Sequence, residues 1–415
     1  MIMQLEKIGK LARQASKELV TIPDEKISAV LRSTSELILS NKTAVLQANE
    51  LDLRKIHDLK VKKAFLDRLK LTDCRLDDIC RTLTKIAKQK SPVDQVIEEF
   101  HPENGLRIKK VSTPIGVIGI IFESRPNVFC DAAALCLRSK NASILRPGTE
   151  ALTTVKALHR LMSMAIKELG LPKNCVQLIQ DSNREQVREL IKMTKYVDVI
   201  VPRGGRNLVE LVETEARVPV FAHLEGIVHI YVHSLASFET AKKVVLNSKS
   251  RRPGICGAVE TVILDKGFYE KHGESLIDFL INDGVEVRAD TALFKNKLIK
   301  HCKKSDFGFE FLDNILAVKI VNGVEEAIAH IQKFGSEHTD CIITEDKNTR
   351  DIFFKNLNSS ILISNASTQF ADGGEFGFGA EIGISTGKLH ARGPIGARHL
   401  VSFQYHVEGD GTLRP

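Results

Sequence analysis

One cysteine of the chain lies in a setting suited to nucleophilic chemistry. Residues 251–261 read RRPGICGAVET, so Cys256 stands between two glycines on a turn and not among apolar neighbours. A thiolate is the reactive form of cysteine, and its ordinary pKa of ~8.5 falls where cations surround it. Lys249, Arg251 and Arg252 supply nearby cations, and the glycines let a substrate approach the backbone. The pattern favours Cys256 over the other cysteines as a catalytic residue.

Two basic, glycine-bearing turns are typical of phosphate binding. VPRGGRN (201–207) lies between a predicted strand and a predicted helix, and LRPGTEA (145–151) is placed in the same way. Exposed N–H groups at such a turn can cradle a phosphate, so the two turns together indicate a nucleotide site. The segment GGEFGFGAEIG (373–383) does not fit a dinucleotide fingerprint, because its glycine spacing differs and no strand–turn–helix unit surrounds it.

The other cysteines and the histidines do not predict a metal site. The eight cysteines include no CxxC pair, and a chain of this length needs no disulfide framework. Most of them are therefore expected to be reduced and packed in the core. His229 and His233 share one face of a predicted strand. Without a third ligand at a suitable spacing, we interpret them as strand residues with hydrogen-bond partners.

The composition is that of a globular protein with two domains. The chain has 415 residues, 43% of them hydrophobic and 27% charged, and a net charge of +7. That length exceeds the usual size of a single hydrophobic core. No apolar run approaches the ~20 residues of a membrane helix, and the N-terminus lacks a secretory signal pattern, so a cytoplasmic protein is expected. Dispersed basic residues and few aromatic residues argue against nucleic-acid binding.

The elements that must position these residues are short apolar strands alternating with helices. The N-terminal part, up to the segment VIEEF, reads as helices, and residues 24–56 show apolar positions at helical spacing, with Asp24 predicted to cap their start. Strand-like segments follow, among them YVDVIVP, VPVF and VHIYVH, and helices separate most of them. This order predicts an α/β fold with largely parallel sheets. The strands are too many for one compact unit, so two sheets are expected, divided near residue 227.

Two further segments are predicted to form strands outside these sheets. Residues 97–114 contain the turn signal PENG, and residues 398–415 show a β-like run that ends in turn residues. Such strands pair across a subunit interface through main-chain hydrogen bonds, or they form only a surface hairpin and a tail. The sequence leaves both possibilities open.

Several segments resemble the γ-glutamyl phosphate reductases, a family of the aldehyde dehydrogenase superfamily. They are TPIGVIGIIFESRPNV, ILRPGTEA, VIVPRGG, RPGICGAVET and ASTQFADGGEFGFGAEIGISTGKLHARGPIG, and the likeness extends over nearly the whole chain. It implies an aldehyde-dehydrogenase-like α/β fold. The implied parts are a Rossmann-like cofactor domain (1–96 and 115–226), an α/β catalytic domain (227–365), β oligomerisation arms (97–114 and 398–415) and C-terminal active-site and cofactor-side loops (366–397).

The resemblance also assigns roles to single residues. Cys256 is similar to the family's catalytic nucleophile. Asn127 and Arg125 lie in the loop that supplies an oxyanion-stabilising amide, although the likeness does not single out one residue of that loop. The implied cofactor contacts are Arg146 on the adenosine side, Gly204 and Gly205 beside the pyrophosphate, and Glu310 on the nicotinamide ribose.

The sequence departs from the superfamily pattern at two positions. Pro147 stands where a glycine is expected, which removes one N–H donor from the supposed phosphate contact. In HLEG (223–226), His223 occupies the position of the glutamate that acts as general base in hydrolytic aldehyde dehydrogenases. Activation of water against a thioester is therefore not expected, which suits a reductase.

The implied reaction is NADPH-dependent reduction of L-glutamyl 5-phosphate to L-glutamate 5-semialdehyde with release of phosphate, the second step of proline biosynthesis from glutamate. It would run through a thioacyl intermediate on Cys256. His223, Arg125, Lys249, Arg251 and Arg252 are the predicted substrate and phosphate contacts. NADPH is preferred to NADH on the resemblance alone. The resemblance further implies a homo-oligomer, a dimer or tetramer, and leaves open a transient association with glutamate 5-kinase.

Three other functions are consistent with the same residues. A hydrolytic, NAD-dependent semialdehyde dehydrogenase is the nearest, and the histidine at position 223 argues against it. A non-catalytic binding protein with this fold would not need a thiol in a basic, glycine-lined turn. A nucleic-acid-binding role rests only on the net charge and is the weakest.

Overall fold

The chain forms two compact units in a computed structural model that describes residues 2–56, 63–181 and 183–414. The first unit comprises Met1–Ala222, Gly377–Gly383 and Pro394–Pro415, and the second comprises His223–Phe376 and Ile384–Gly393.

The first unit begins with helices. They are α1 (Ile2–Leu19), α2 (Asp24–Ser40), α3 (Lys42–Ile56), α4 (Lys63–Leu69) and α5 (Asp73–Ala87). The predicted helical stretch 24–56 is thus two helices that meet at Asn41. The expected cap at Asp24 is wrong: Pro23 holds the N-cap position, and the Asp24 carboxylate pairs with Arg138 at 3.2 Å.

A parallel four-stranded sheet follows in the first unit, with strand order β5-β4-β3-β6. The preceding hairpin strands are β1 (Val96–Phe100) and β2 (Arg107–Pro114). The sheet consists of β3 (Val117–Phe122), β4 (Ala142–Pro147), β5 (Val176–Leu178) and β6 (Val199–Arg203), and its helices are α6 (Asn127–Arg138), α7 (Leu152–Glu168), α8 (Glu185–Leu190) and α9 (Arg206–Glu215). Every residue of β3 and β4 is buried, because helices cover both faces of such a sheet.

The second unit contains a seven-stranded parallel sheet. Its strands are β7 (Val228–Val232), β8 (Val259–Asp265), β9 (Glu286–Ala289), β10 (Lys300–His301), β11 (Ile315–Val321), β12 (Thr339–Ile343) and β13 (Ile361–Ser364). The strand order is β10-β9-β11-β8-β7-β12-β13. The helices are α10 (Phe238–Ser250), α11 (Lys266–Phe268), α12 (Glu274–Asn282), α13 (Val324–Phe334) and α14 (Lys347–Asn356).

Two strand predictions need correction. The segment VPVF (218–221) forms no strand and only a single bridge, between Val220 and Ile200, while β9 and β10 were not predicted from the sequence. Strands β9 and β10 escape notice because they are short and carry charged residues. The predicted α/β fold with two largely parallel sheets is confirmed.

The chain ends in short β structure. Two short strands, β14 (Ile384–Ser385) and β15 (Gly393–Pro394), precede the last strand, β16 (Val401–Glu408). Strand β16 pairs antiparallel with β2 over its whole length, from Val401 opposite Pro114 to Glu408 opposite Arg107. A three-stranded sheet β1-β2-β16 results, and both of its outer strands expose apolar side chains. Among the described residues, no helix combines the length and the apolar character that crossing a membrane requires.

Candidate active site

The candidate site lies at the amino-terminal ends of adjacent strands in the second unit. His223 precedes β7, Cys256 precedes β8 and His338 directly precedes β12. Because β7 lies between β8 and β12 in the sheet, the three loops that precede these strands meet at the amino-terminal end of the sheet. Glu310 precedes β11, the neighbour of β8 on the other side. Residues far apart in sequence are thus brought together by the order of parallel strands.

The Cys256 thiol stands beside two imidazoles. The Sγ atom of Cys256 and one ring nitrogen each of His223 and His338 all lie within 4.8 Å of one another. The two imidazole rings have their centroids 4.9 Å apart and cross at 65°. Cys256 and His223 are half-buried, and His338 is fully buried. The arrangement is that of a thiol with two potential proton acceptors.

Each imidazole is held through its Nδ1 atom. Nδ1 of His223 lies 2.6 Å from the carbonyl oxygen of Ile384, and since a carbonyl only accepts, Nδ1 carries the proton. Nδ1 of His338 lies 2.9 Å from the hydroxyl oxygen of Thr339. In both residues Nε2 is the remaining ring nitrogen. Nε2 of His338 is buried and has no hydrogen-bond partner in the described part of the chain.

The histidines set the protonation state of the thiol. Burial alone would raise the pKa of Cys256, but the charge of His338 and the hydrogen bond to His223 outweigh burial and hold that pKa well below its ordinary value. Burial instead raises the pKa of the core cysteines Cys80, Cys130, Cys136, Cys175 and Cys341. The two histidines therefore favour the thiolate form of Cys256, which is the form that attacks carbonyl carbon.

Gly226 lets the loop before β7 pass close to the thiol loop. A Cβ atom at this position would overlap the carbonyl oxygen of Cys256 and lie 2.7 Å from its Cα atom. The N–H of Gly226 donates to Oε1 of Glu310 at 3.0 Å. Burial and the charge of Cys256 raise the pKa of Glu310. Glu310 therefore lies within electrostatic reach of the nucleophile.

Replacing Gly226 with alanine is expected to displace the backbone of Cys256 and lower kcat by about 10²-fold, since a small misplacement of a reacting group costs about that factor. The matched control is Gly308→Ala in the same unit, where a new Cβ would meet only ordinary contacts, with Phe334 at 3.6 Å. Steady-state rates of the two variants, compared at equal thermal stability, test whether activity requires the close approach of Gly226 to the Cys256 backbone. Equal rates would contradict it.

A second segment supports the thiol loop from the other side. Gln369 donates from Nε2 to the carbonyl oxygen of Ser248 at 2.9 Å, and its Oε1 accepts from Nη1 of Arg251 at 3.3 Å. A Cβ at Gly257 would lie 3.1 Å from the carbonyl oxygen of Thr368. Arg251 and Arg252 are exposed on this loop. Arg251 is thus close to the thiol in sequence and held by Gln369.

Lys249 does not occupy the position predicted for a phosphate-binding cation. It is fully buried on the inner face of α10, and its Nζ atom bonds to Oε2 of the equally buried Glu260 at 2.6 Å. Burial lowers the pKa of Lys249 and raises that of Glu260, because the interior disfavours both charges. In this structure Lys249 is an internal ion-pair partner and offers no charge to a ligand.

Replacing Lys249 with methionine therefore tests a structural role against a phosphate-binding role. Loss of the ammonium leaves the Glu260 carboxyl buried without its cation, so the free energy of unfolding should fall by about 3–5 kcal/mol. The double variant Lys249→Met, Glu260→Gln should recover part of that loss. Chemical denaturation measures stability, and the KM for phosphate of the folded protein should not change. A stable variant with a raised KM for phosphate would restore the phosphate-binding role.

The predicted cofactor residues of the first unit lie at one edge of its sheet. Arg146 is buried near the end of β4, and Gly204 and Gly205 form the turn between β6 and α9. The N–H of Gly205 donates to Oε2 of Glu123 at 3.0 Å. That turn therefore donates a hydrogen bond to an anionic oxygen, which fits a role in holding phosphate.

The predicted oxyanion loop also belongs to the first unit. Asn127 is the first residue of α6, and its Nδ2 atom donates to Oδ2 of Asp131 at 3.0 Å. Arg125 lies two residues earlier and is half-buried. The catalytic role assigned to this loop stays a prediction.

Comparisons with known proteins agree with this description. The model of the aldehyde dehydrogenase family matches residues 3–291. A gamma-glutamyl phosphate reductase of Rhizobium johnstonii is 45% identical over 410 residues, covering 98% of this chain and 96% of that protein. The enzyme of the same name from Bartonella quintana is 46% identical over 412 residues, covering 99% and 100%.

A solved structure shows the same architecture. The crystal structure of a gamma-glutamyl phosphate reductase from Thermotoga maritima superposes with a TM-score of 0.94 at 36% identity, covering 99% of this chain and 100% of that one. The likeness therefore extends over both units and over 96–100% of the length of these relatives.

Proposed function

The chain belongs to the gamma-glutamyl phosphate reductase family of the aldehyde dehydrogenases, which are oxidoreductases, and from this we propose that it reduces L-glutamyl 5-phosphate to L-glutamate 5-semialdehyde through a thioacyl intermediate on Cys256. The observation that carries the proposal is the Cys256 thiol held within 4.8 Å of two histidine nitrogens. Such an environment keeps a thiol deprotonated and nucleophilic.

The thiolate performs the first step. Sγ of Cys256 attacks the acyl carbon of the substrate, the carbonyl oxygen becomes an oxyanion, and collapse of the tetrahedral intermediate expels phosphate and leaves a thioester. We assign stabilisation of this oxyanion to the loop that contains Asn127 and Arg125, in agreement with the family pattern. We assign the phosphate to Arg251 and Arg252, which lie on the exposed part of the thiol loop.

The histidines keep the sulfur in its reactive state through the cycle. While Sγ carries the acyl group, Nε2 of either His338 or His223 can retain the single proton that the thiol has given up. When the aldehyde departs, the sulfur returns as a thiolate beside the same two groups. His223, in the place of a hydrolytic glutamate, is tied to the Ile384 carbonyl through Nδ1, which fixes its ring.

The reaction requires a nicotinamide cofactor, which members of the aldehyde dehydrogenase family use. We assign its pyrophosphate to the Gly204–Gly205 turn, where an N–H already holds a carboxylate oxygen, its adenosine side to Arg146, and its nicotinamide ribose to Glu310. When bound, the cofactor, proposed to be NADPH, supplies the hydride that reduces the acyl carbon.

Phosphate dependence of the reverse reaction tests this function. The protein is incubated with L-glutamate 5-semialdehyde and NADP⁺, and the formation of NADPH is measured by its absorbance. The rate of NADPH formation should rise with the concentration of inorganic phosphate. If the forward substrate is an acyl phosphate, the reverse reaction must transfer the acyl group from the sulfur to inorganic phosphate. Turnover that ignores phosphate would mean that water accepts the acyl group and that the protein is a hydrolytic dehydrogenase.

We further propose that the sheet β1-β2-β16 joins copies of this chain into a dimer or tetramer. Ile97 on β1, and Tyr405 and Val407 on β16, are each 55% exposed, although they are large apolar or aromatic side chains. In the described part of the chain, both outer strands of this sheet have an unpaired edge, which is suited to strand pairing between subunits. Sedimentation of the wild type against Tyr405→Lys tests this assembly, and a wild-type monomer at micromolar concentration would refute it.

A further inference from the structure

The thiol and the two imidazoles also form a ligand set. Among the described residues, Cys256, His223 and His338 are the group of three whose sulfur and nitrogen atoms come within 4.8 Å of one another. Thiolate sulfur and imidazole nitrogen are the ligands that Zn²⁺ and related soft divalent ions prefer. Mg²⁺ and Ca²⁺ prefer oxygen ligands, so the cluster discriminates against them.

The imidazoles are oriented as they are in metal sites. A metal-bound histidine commonly uses one ring nitrogen for the ion while the other bonds to a carbonyl or hydroxyl group. Here the Ile384 carbonyl holds Nδ1 of His223, and the Thr339 hydroxyl holds Nδ1 of His338. Nε2 of His338 is buried without a hydrogen-bond partner among the described residues, and it is the remaining nitrogen for the cluster.

We propose that Cys256, His223 and His338 bind one Zn²⁺-class ion and that this ion reversibly blocks the nucleophile. Three protein ligands leave a fourth tetrahedral position for water. The ion and an acyl group compete for the same sulfur electron pair, so metal-bound protein cannot form a thioester. Binding forms one Sγ–metal bond and two Nε2–metal bonds, releases any proton still on those atoms, and changes no oxidation state. The blocking effect rests on the proposed function, whereas the binding itself does not.

Cobalt provides a direct probe of this site. The chelator-treated full-length protein is titrated with Co²⁺, and the near-ultraviolet absorption of a Co²⁺–thiolate bond is followed. One equivalent should bind, and one equivalent of Zn²⁺ should abolish the band. Cys256→Ser should eliminate the band, and His338→Gln should weaken binding by at least ~10-fold. Thr339→Val, which removes the hydroxyl that orients His338, should weaken it by about 10-fold. Cys302→Ser, a half-buried cysteine outside the cluster, is the matched control and should bind Co²⁺ as the wild type does.

The outcomes separate the metal site from the reductase function. A thiolate band that persists in Cys256→Ser, or unchanged affinity in His338→Gln with the fold intact by circular dichroism, would overturn the site. Mg²⁺ competing as well as Zn²⁺ would overturn it too. If Co²⁺ binds as expected but the protein does not reduce the acyl phosphate, the metal site stands and the proposed function fails. An active enzyme that binds Co²⁺ without loss of turnover would refute the blocking effect.

Discussion

Replacing Cys256 with serine is expected to lower kcat by at least ~10⁴-fold while leaving the fold intact. A serine hydroxyl is nearly isosteric but stays protonated at neutral pH, and two histidines cannot make it a nucleophile comparable with a thiolate. Cys256 is half-buried in a loop between α10 and β8, so the substitution leaves the core unchanged. Steady-state reduction of the acyl phosphate measures the effect, with circular dichroism as the check on folding.

The matched control for this prediction is Cys302→Ser. Cys302 is half-buried in the same unit, but burial raises its pKa to about 11, so it is a thiol at neutral pH and not a nucleophile. This variant should keep wild-type turnover and wild-type labelling by iodoacetamide. A folded Cys256→Ser variant that retains more than a few per cent of the activity would remove the thioacyl mechanism.

His338→Gln is expected to lower kcat by about 10²-fold, the usual contribution of one positioned acid–base group. Glutamine approximates the size of the imidazole but cannot hold a positive charge. The charge of His338 is the strongest of the effects that lower the pKa of Cys256, so its removal should return that pKa toward the ordinary ~8.5. His223→Gln should cause a smaller change of the same sign.

The pH dependence of alkylation reports this effect on the thiol directly. In the wild type the folded-state pKa of Cys256 is depressed, so the labelling rate should stay constant as the pH falls through the neutral range. In His338→Gln the rate should decline as the pH falls below ~8.5, because the thiol protonates there. His301→Gln, at an exposed histidine of the same unit, should behave as the wild type does. Identical pH profiles for wild type and His338→Gln would show that His338 does not activate the thiol.

The sequence predicts the fold better than it predicts the site. A continuous apolar strand such as β3 is recognisable because both of its faces are buried. Cys256 is recognisable from its glycines and cations. His338 cannot be recognised as a site residue from the sequence, because only the pairing of β12 with β7 brings it to the thiol. No local sequence pattern predicts the order of strands in a sheet. The one local signal was a histidine directly before a strand.

The helical spacing around Lys249 predicts that its side chain is buried. Ala241, Val245, Ser248 and Lys249 are all buried, and their spacing of three and four residues is that of one helix face. Lys249 therefore points with the apolar residues into the unit, where Glu260 on β8 receives it. Lys249 lies close to Cys256 in the sequence, which suggests a ligand contact. Helical periodicity, however, places its side chain on the buried face of α10, away from a ligand.

A single-turnover experiment tests the central claim, a thioacyl intermediate on Cys256, most directly. The protein is mixed rapidly with L-glutamate 5-semialdehyde and NADP⁺ in the absence of phosphate, then digested and analysed by mass spectrometry. We expect one equivalent of NADPH per active site in a burst that then stops, with the glutamyl group on the peptide that contains Cys256. Addition of phosphate should remove that group and restart turnover. Continued turnover without phosphate, or a burst that leaves the Cys256 peptide unmodified, would contradict the account.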